Sequence, residues 1–250
     1  MKYYAGYGTT KKVIRLPTSL VTQMATPYQE ENMIDSFEKS LEAAREKYSE
    51  SMKIYLRDLN MKIVNSWKSV FYNFGYHYDN IDVSCGSIFD LTADAIISPA
   101  NSFGFMDGGI DLAYSHYFGW DLQQQLQEYI RDKFYGEIPV GSAALIKTNN
   151  EKIRYLISAP TMRVPTDVSK TANAYLAFRA SLMEVDKFNR NNDEKILSVL
   201  CPGLGTLTGF ISPKNCAVQM KYAYDSIVGK NVLFPDTLVE AYSKHKYLVR

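Results

Sequence analysis

The sequence predicts an α/β protein whose sheet carries helices on both faces, preceded by a largely helical N-terminal extension. Two observations predict the sheet: short apolar strands alternate with helical segments after residue 80, and those strands run without polar interruption. A third predicts the extension, an apolar stripe stepping by three and four from Ile34 to Val70. The expected division is residues 1–80 as extension, mainly helical from about residue 27, and 81–250 as the sheet-bearing domain.

The extension opens with a mixed stretch containing one strand-like run, Lys12-Val-Ile-Arg-Leu16. A helix start follows at Thr26-Pro27-Tyr28-Gln29: Thr26 can cap, Pro27 suits the first helical position, and Gln29 can close a capping box. The stripe then passes through Phe37, Leu41, Tyr48, Met52, Tyr55, Leu59, Ile63 and Trp67, with Asp58-Leu-Asn60 as a candidate break. Such a stripe either docks on the protein's own sheet or offers a face for a partner or a second copy. Beyond it, strands are expected at 81–85, 95–98, 143–147, 154–158 and 196–200. Helices are expected at 110–118, 122–134, 171–188 and 213–228.

Composition narrows the function. The 250 residues hold 28 Lys plus Arg against 27 Asp plus Glu, a net charge of +1 without a basic block. That argues against a nucleic-acid partner bound through phosphate neutralisation, yet it leaves room for a small anion held by backbone N–H groups. Cys85, Cys201 and Cys216 lack metal-ligand spacing, so neither a metal nor a cofactor is expected. The N-terminus lacks the apolar run of a signal peptide, and no stretch approaches the ~18 apolar residues of a membrane span. The expectation is a cytoplasmic protein away from the membrane.

Two loops carry the chemistry, because ligands of open α/β sheets gather beyond the carboxyl ends of the strands. The first is Pro99-Ala-Asn101-Ser-Phe-Gly104-Phe-Met-Asp107-Gly108-Gly109-Ile110-Asp111. Its glycine pair, just before a helix, lets the backbone approach an anion, and Asn101 can donate and accept toward a sugar hydroxyl. The second is Cys201-Pro-Gly203-Leu-Gly205-Thr206-Leu207-Thr208-Gly209-Phe210. Its glycines and threonines offer N–H and O–H donors to phosphate oxygens, and Phe210 offers a ring to a ribose or base.

These segments resemble the macrodomain family. Gly86-Ser87-Ile88, the strand ending at Ala100-Asn101, Gly108-Gly109-Ile110-Asp111, Pro139-Val-Gly141-Ser-Ala, Tyr155-Leu-Ile-Ser-Ala-Pro160 and Gly203-Leu-Gly205-Thr206 with Gly209 occur in the family's order over about residues 80–230. The resemblance implies a three-layer α/β/α fold with a mixed sheet and a cleft for ADP-ribose or an ADP-ribosylated protein. By that resemblance Ile88 lies near the adenine, both glycine loops surround the pyrophosphate, and Asn101 and Asp111 face the distal ribose. The chain departs from the family at Ser87, where an adenine-binding Asp is usual, at Asp107 and Leu207, where glycines are usual, and at Ser115, where a His is often found.

The candidate catalytic residues are therefore Asp107, Asp111 and Asn101, and the leading reading is hydrolysis of ADP-ribosyl linkages. The alternatives are a non-catalytic reader of ADP-ribose and a phosphatase or deacylase acting on its derivatives. Asp111 also suits a helix N-cap, where the helix end would lower its pKa. Asp107 also suits a turn beside glycine. If both carboxylates face the cleft, their repulsion raises one pKa and creates an acid–base pair.

Overall fold

The strand nearest the N-terminus of the sheet shows how two periodicities can share one segment. In the computed structural model, which describes residues 4–5, 12–13, 52–72, 78–229 and 234–249, Lys53–Asp58 is a strand. Ile54 and Leu56 are wholly buried on one face, and Tyr55 packs into the cluster on the other. The helical reading through Met52, Tyr55 and Leu59 is corrected here. It stepped over Ile54 and Leu56, whose alternation with Tyr55 is the period-two signal of a strand covered on both faces. The candidate break is where that strand ends and a helix, Met61–Phe71, begins, with the Asn60 side chain accepting a bond from the Lys62 N–H. The earlier part of the stripe, residues 27–51, lies outside the described residues.

In chain order the elements are β1 (Tyr4–Ala5), β2 (Lys12–Val13), β3 (Lys53–Asp58), α1 (Met61–Phe71), β4 (Ile81–Cys85), β5 (Ala93–Ser98) and α2 (Gly109–Phe118). There follow α3 (Asp121–Phe134), β6 (Ala144–Lys147), β7 (Ile153–Ser158), α4 (Asn173–Asn191), β8 (Ser198–Cys201), α5 (Pro213–Ile227) and α6 (Leu238–Leu248). The chain divides into two compact units, Met1–Glu50 and Ser51–Arg250. In the first, β1 and β2 pair antiparallel. The second holds everything from β3 onward, so β3 and α1 belong with the sheet rather than with an extension ending at residue 80.

The sheet has six strands in the order β4-β3-β8-β5-β7-β6. β6 runs antiparallel to β7 and every other neighbouring pair is parallel, which gives the mixed sheet. One face packs against α1, α4 and α5 through Trp67, Phe178 and Met220; the other packs against α2 and α3 through Tyr114 and Leu126. These are the three layers of an α/β/α fold. The predicted helices and strands after residue 80 all form, with boundaries within three residues of those expected. α6 was not expected from the sequence. No helix among the described residues is long and apolar enough to cross a membrane.

One carboxylate sets the alignment of the central strands. Asp94, at the start of β5, accepts bonds from the Leu197 and Ser198 N–H groups and the Ser198 hydroxyl, and pairs with Arg154 of β7. Burial works to raise its pKa, but the bonds from Arg154, Leu197 and Ser198 outweigh that and hold it below the usual carboxylate range. Three strands are thereby pinned at their amino ends. Their carboxyl ends, and the loops that follow, then emerge along one edge.

Candidate functional site

β5 and β8 are parallel neighbours, with Ala95 opposite Val199 and Ile96 opposite Leu200. The two glycine loops therefore leave the same edge of the sheet from adjacent strands. The segment after β7 braces both: Thr161 N–H donates to the Ala100 carbonyl at 3.0 Å, and Val168 N–H donates to the Gly209 carbonyl at 2.9 Å.

The first loop is shaped by side chains so that its backbone stays open. Asn101 closes it on itself: its Oδ1 accepts from the Phe103 and Phe105 N–H groups, and its Nδ2 donates to the Phe105 carbonyl. One amide hydrogen of Asn101 is left over. Buried Met106 is clamped at both backbone groups, its N–H donating to Gln123 Oε1 and its carbonyl accepting from Ser115 Oγ. Ser115 thus anchors the loop. Beyond Met106, the N–H groups of Asp107, Gly108, Gly109, Ile110 and Asp111 find no acceptor among the described residues. Gly108 is the N-cap of α2 and Gly109 has a φ of +56°, a left-handed turn that favours glycine. A side chain added at either would meet nothing within 4 Å.

The second loop behaves alike. Gly205 has a φ of +65°, its carbonyl accepts from Ile211 N–H, and the N–H groups of Gly205, Thr206, Leu207, Thr208 and Gly209 have no acceptor among the described residues. Phe210 stands 68% exposed with a φ of +55°, a backbone state that costs a bulky residue of order 1 kcal/mol or more. Leu207, where a glycine is usual, simply points its side chain outward.

Gly203 differs from the rest. Its N–H donates to Asp58 Oδ2 at 3.0 Å, so this donor is already used. Asp58 ends β3 and also accepts the Asn60 N–H at 2.8 Å, while its carbonyl accepts Gly86 N–H. It ties the second glycine loop to the edge where Ser87 and Ile88 begin. Sequence reading missed this residue; recognising β3 would have placed a carboxylate at a strand end beside the loops. Replacing Asp58 by Ala strips two N–H groups of their acceptor. If the loops hold ADP-ribose as the resemblance implies, calorimetric affinity for it should fall by roughly tenfold with the fold retained, as read by circular dichroism.

Ser87 and Ile88 lie at the end of β4, two strands from β8. The Ser87 hydroxyl accepts the Phe89 N–H and its carbonyl accepts Arg57 Nε, while Ile88 is buried in the α2/α3 cluster.

The two candidate carboxylates occupy different settings. Asp111 is the third residue of α2 and only 6% exposed, and its Oδ1 accepts the Ser98 hydroxyl at 2.5 Å. The N-cap reading is corrected: Gly108 holds that place. The expected direction of its pKa is corrected too, since burial drives it up to about 7, only partly offset by the Ser98 bond. Asp107 is exposed on the bridge between Met106 and the glycine pair and is not among the causes of that rise, so burial replaces carboxylate repulsion as the reason.

Comparisons with known proteins agree with the architecture. The model of the Macro domain family matches residues 97–220, spanning both glycine loops. A protein of Aquifex aeolicus is 35% identical over 140 residues, covering 56% of this chain and 77% of its own length. The chain belongs to the macrodomain family. A macro domain-containing protein of Caldanaerobacter subterraneus is 28% identical over 177 residues, covering 66% of this chain and 95% of its own. The macrodomain of Oceanobacillus iheyensis, solved with ADP, superposes with a TM-score of 0.50 at 20% identity, covering 66% of this macrodomain's chain and 88% of its own.

Proposed function

We propose that this macrodomain binds ADP-ribose with its pyrophosphate between the two glycine loops, and that it hydrolyses ADP-ribosyl linkages on modified proteins. The observation that carries the binding half is the pair of N–H runs, 107–111 and 205–209, at the carboxyl ends of adjacent parallel strands. Uncommitted backbone donors at a helix start and in a glycine turn suit a diphosphate without adding net charge. The fold shared with a macrodomain that holds ADP supports the same class of ligand.

The catalytic half rests on the carboxylates. Gly108 and Gly109 lie between Asp107 and Asp111, so a ribose attached to the pyrophosphate comes close to exposed Asp107 and to the helix start that carries buried Asp111. Cleavage breaks the bond from the anomeric carbon to the protein side chain and joins a water oxygen to that carbon. The departing side chain gains a proton and the water loses one. Exposed Asp107 orients the water; Asp111, with a pKa near working pH, exchanges the proton while Ser98 fixes its orientation. A carboxylate also stabilises the oxocarbenium-like transition state. The leftover Asn101 hydrogen reaches the sugar.

A second reading, a reader without turnover, is favoured by one observation: Asp111 is shielded from solvent and occupied by Ser98. Calorimetric titration with ADP-ribose, followed by a release assay on proteins modified at Arg, Ser or Glu, separates the two. Hydrolysis predicts release that is lost in Asp107→Ala and Asp111→Ala with affinity kept. Binding with no release from any linkage would leave the reader.

The family's fold does not dictate compartment. Cys201 and Cys216 are buried free thiols, which suits the reducing setting of the cytoplasm.

A further inference from the structure

A groove of about 660 Å³ lies between α4, α5 and α6, away from the glycine loops' own residues. Its floor is apolar and aromatic: Leu176, Ile227 and the edge-to-face pair Tyr175–Tyr222, with ring centroids 5.6 Å apart. Phe234, 83% exposed, stands at its margin. Among the described residues its charged lining is wholly cationic or imidazole, Lys170, Arg179, Lys244 and His245, with no carboxylate. Lys244 is matched by Glu240, and Asp167 lies near Lys170 outside the groove. Arg179 is different. It is half-buried on α4, yet makes no ion pair or hydrogen bond with any described residue.

A guanidinium partly withdrawn from water and without a protein partner keeps its donors available to an anion. Its planar fork matches a phosphate, and aromatic rings beside it supply a surface for a flat base. The volume falls within the few hundred to about 1,000 Å³ typical of small-ligand sites, well below a macromolecular interface. We propose that this groove is a second binding site, for a small nucleotide, with its base against Tyr175, Tyr222 and Phe234 and its phosphate at Arg179 and Lys170. The inference does not depend on the function of the glycine loops. One strut joins the two regions: Asn173 Nδ2, in the groove wall, donates to the Thr161 carbonyl of the segment that braces both loops.

The test uses the full chain, labelled with ¹⁵N and kept in excess ADP-ribose, titrated with adenosine monophosphate. The groove predicts amide shifts at Lys170, Tyr175, Arg179 and Tyr222 as the nucleotide is added. Arg179→Glu and Lys170→Glu should each weaken that binding by about tenfold or more, while calorimetric affinity for ADP-ribose stays unchanged. Lys170 is exposed, so its variant reads the charge without risk to packing. Absence of shifts at these residues would overturn the proposal. So would equal binding of phosphate-free adenosine, or binding that neither variant weakens.

Discussion

Asp111→Asn is expected to abolish release of ADP-ribose from modified protein while making the chain more stable above neutral pH. The two effects share a cause. In the native protein the Asp111 carboxyl is buried, which pushes its pKa up to about 7 from the 3.8 of an aspartate in water. The folded state therefore holds a proton that the unfolded chain gives up. A group raised in this way contributes its full stability below pH 3.8 and loses it progressively as pH climbs through about 7. Three pKa units correspond to stability on the order of 4 kcal/mol. Asn keeps the shape and can still accept the Ser98 hydroxyl, but it carries no charge to desolvate. At pH 8 its melting temperature should stand roughly 10 °C above the parent's, with the difference vanishing toward pH 4. Turnover should drop by about a hundredfold or more, because Asn cannot exchange a proton. A thermal-melt series from pH 4 to 9 and a release assay read both. Parallel melting profiles would show that Asp111 does not titrate as described, and unchanged release would remove it from the chemistry.

Gly108→Val should do the reverse, eliminating binding while leaving the fold alone. Gly108 has φ −142° and ψ 158°, an extended conformation that valine favours, and a side chain there meets nothing within 4 Å. Stability should change by no more than about 1 kcal/mol, the scale of an N-cap substitution. The added methyls would stand where the anion must approach the backbone. Bonds to a charged group contribute about 1.5–3 kcal/mol each, so losing two implies an affinity drop of about a hundredfold or more. Denaturant unfolding beside calorimetry separates this from simple destabilisation. Retained affinity would mean that ADP-ribose does not approach the first loop.

Most of the sheet was legible because its strands are short apolar runs between glycine-rich turns, and both loops could be read from their glycines. β3 was not. In Ile54-Tyr55-Leu56 all three residues are apolar, because both faces of the strand are covered, and the flanking Met52 and Leu59 complete a helical stripe. Losing β3 hid Asp58 and shifted the boundary of the sheet-bearing unit by some thirty residues. The setting of Asp111 escaped for another reason. Sequence placed it near a helix start, where a dipole lowers a pKa, but only the fold turns its side chain inward onto Ser98. Asn101 makes three bonds within its own loop, so in the fold it acts first as a brace.

The most direct measurement is an amide ¹H–¹⁵N spectrum of the chain as ADP-ribose is added. Backbone donors from both turns meeting one pyrophosphate predict that Gly108, Gly109 and Ile110 shift together with Thr206, Leu207 and Thr208, along one shared saturation curve. Shifts confined to a single turn, or none in either, would contradict it.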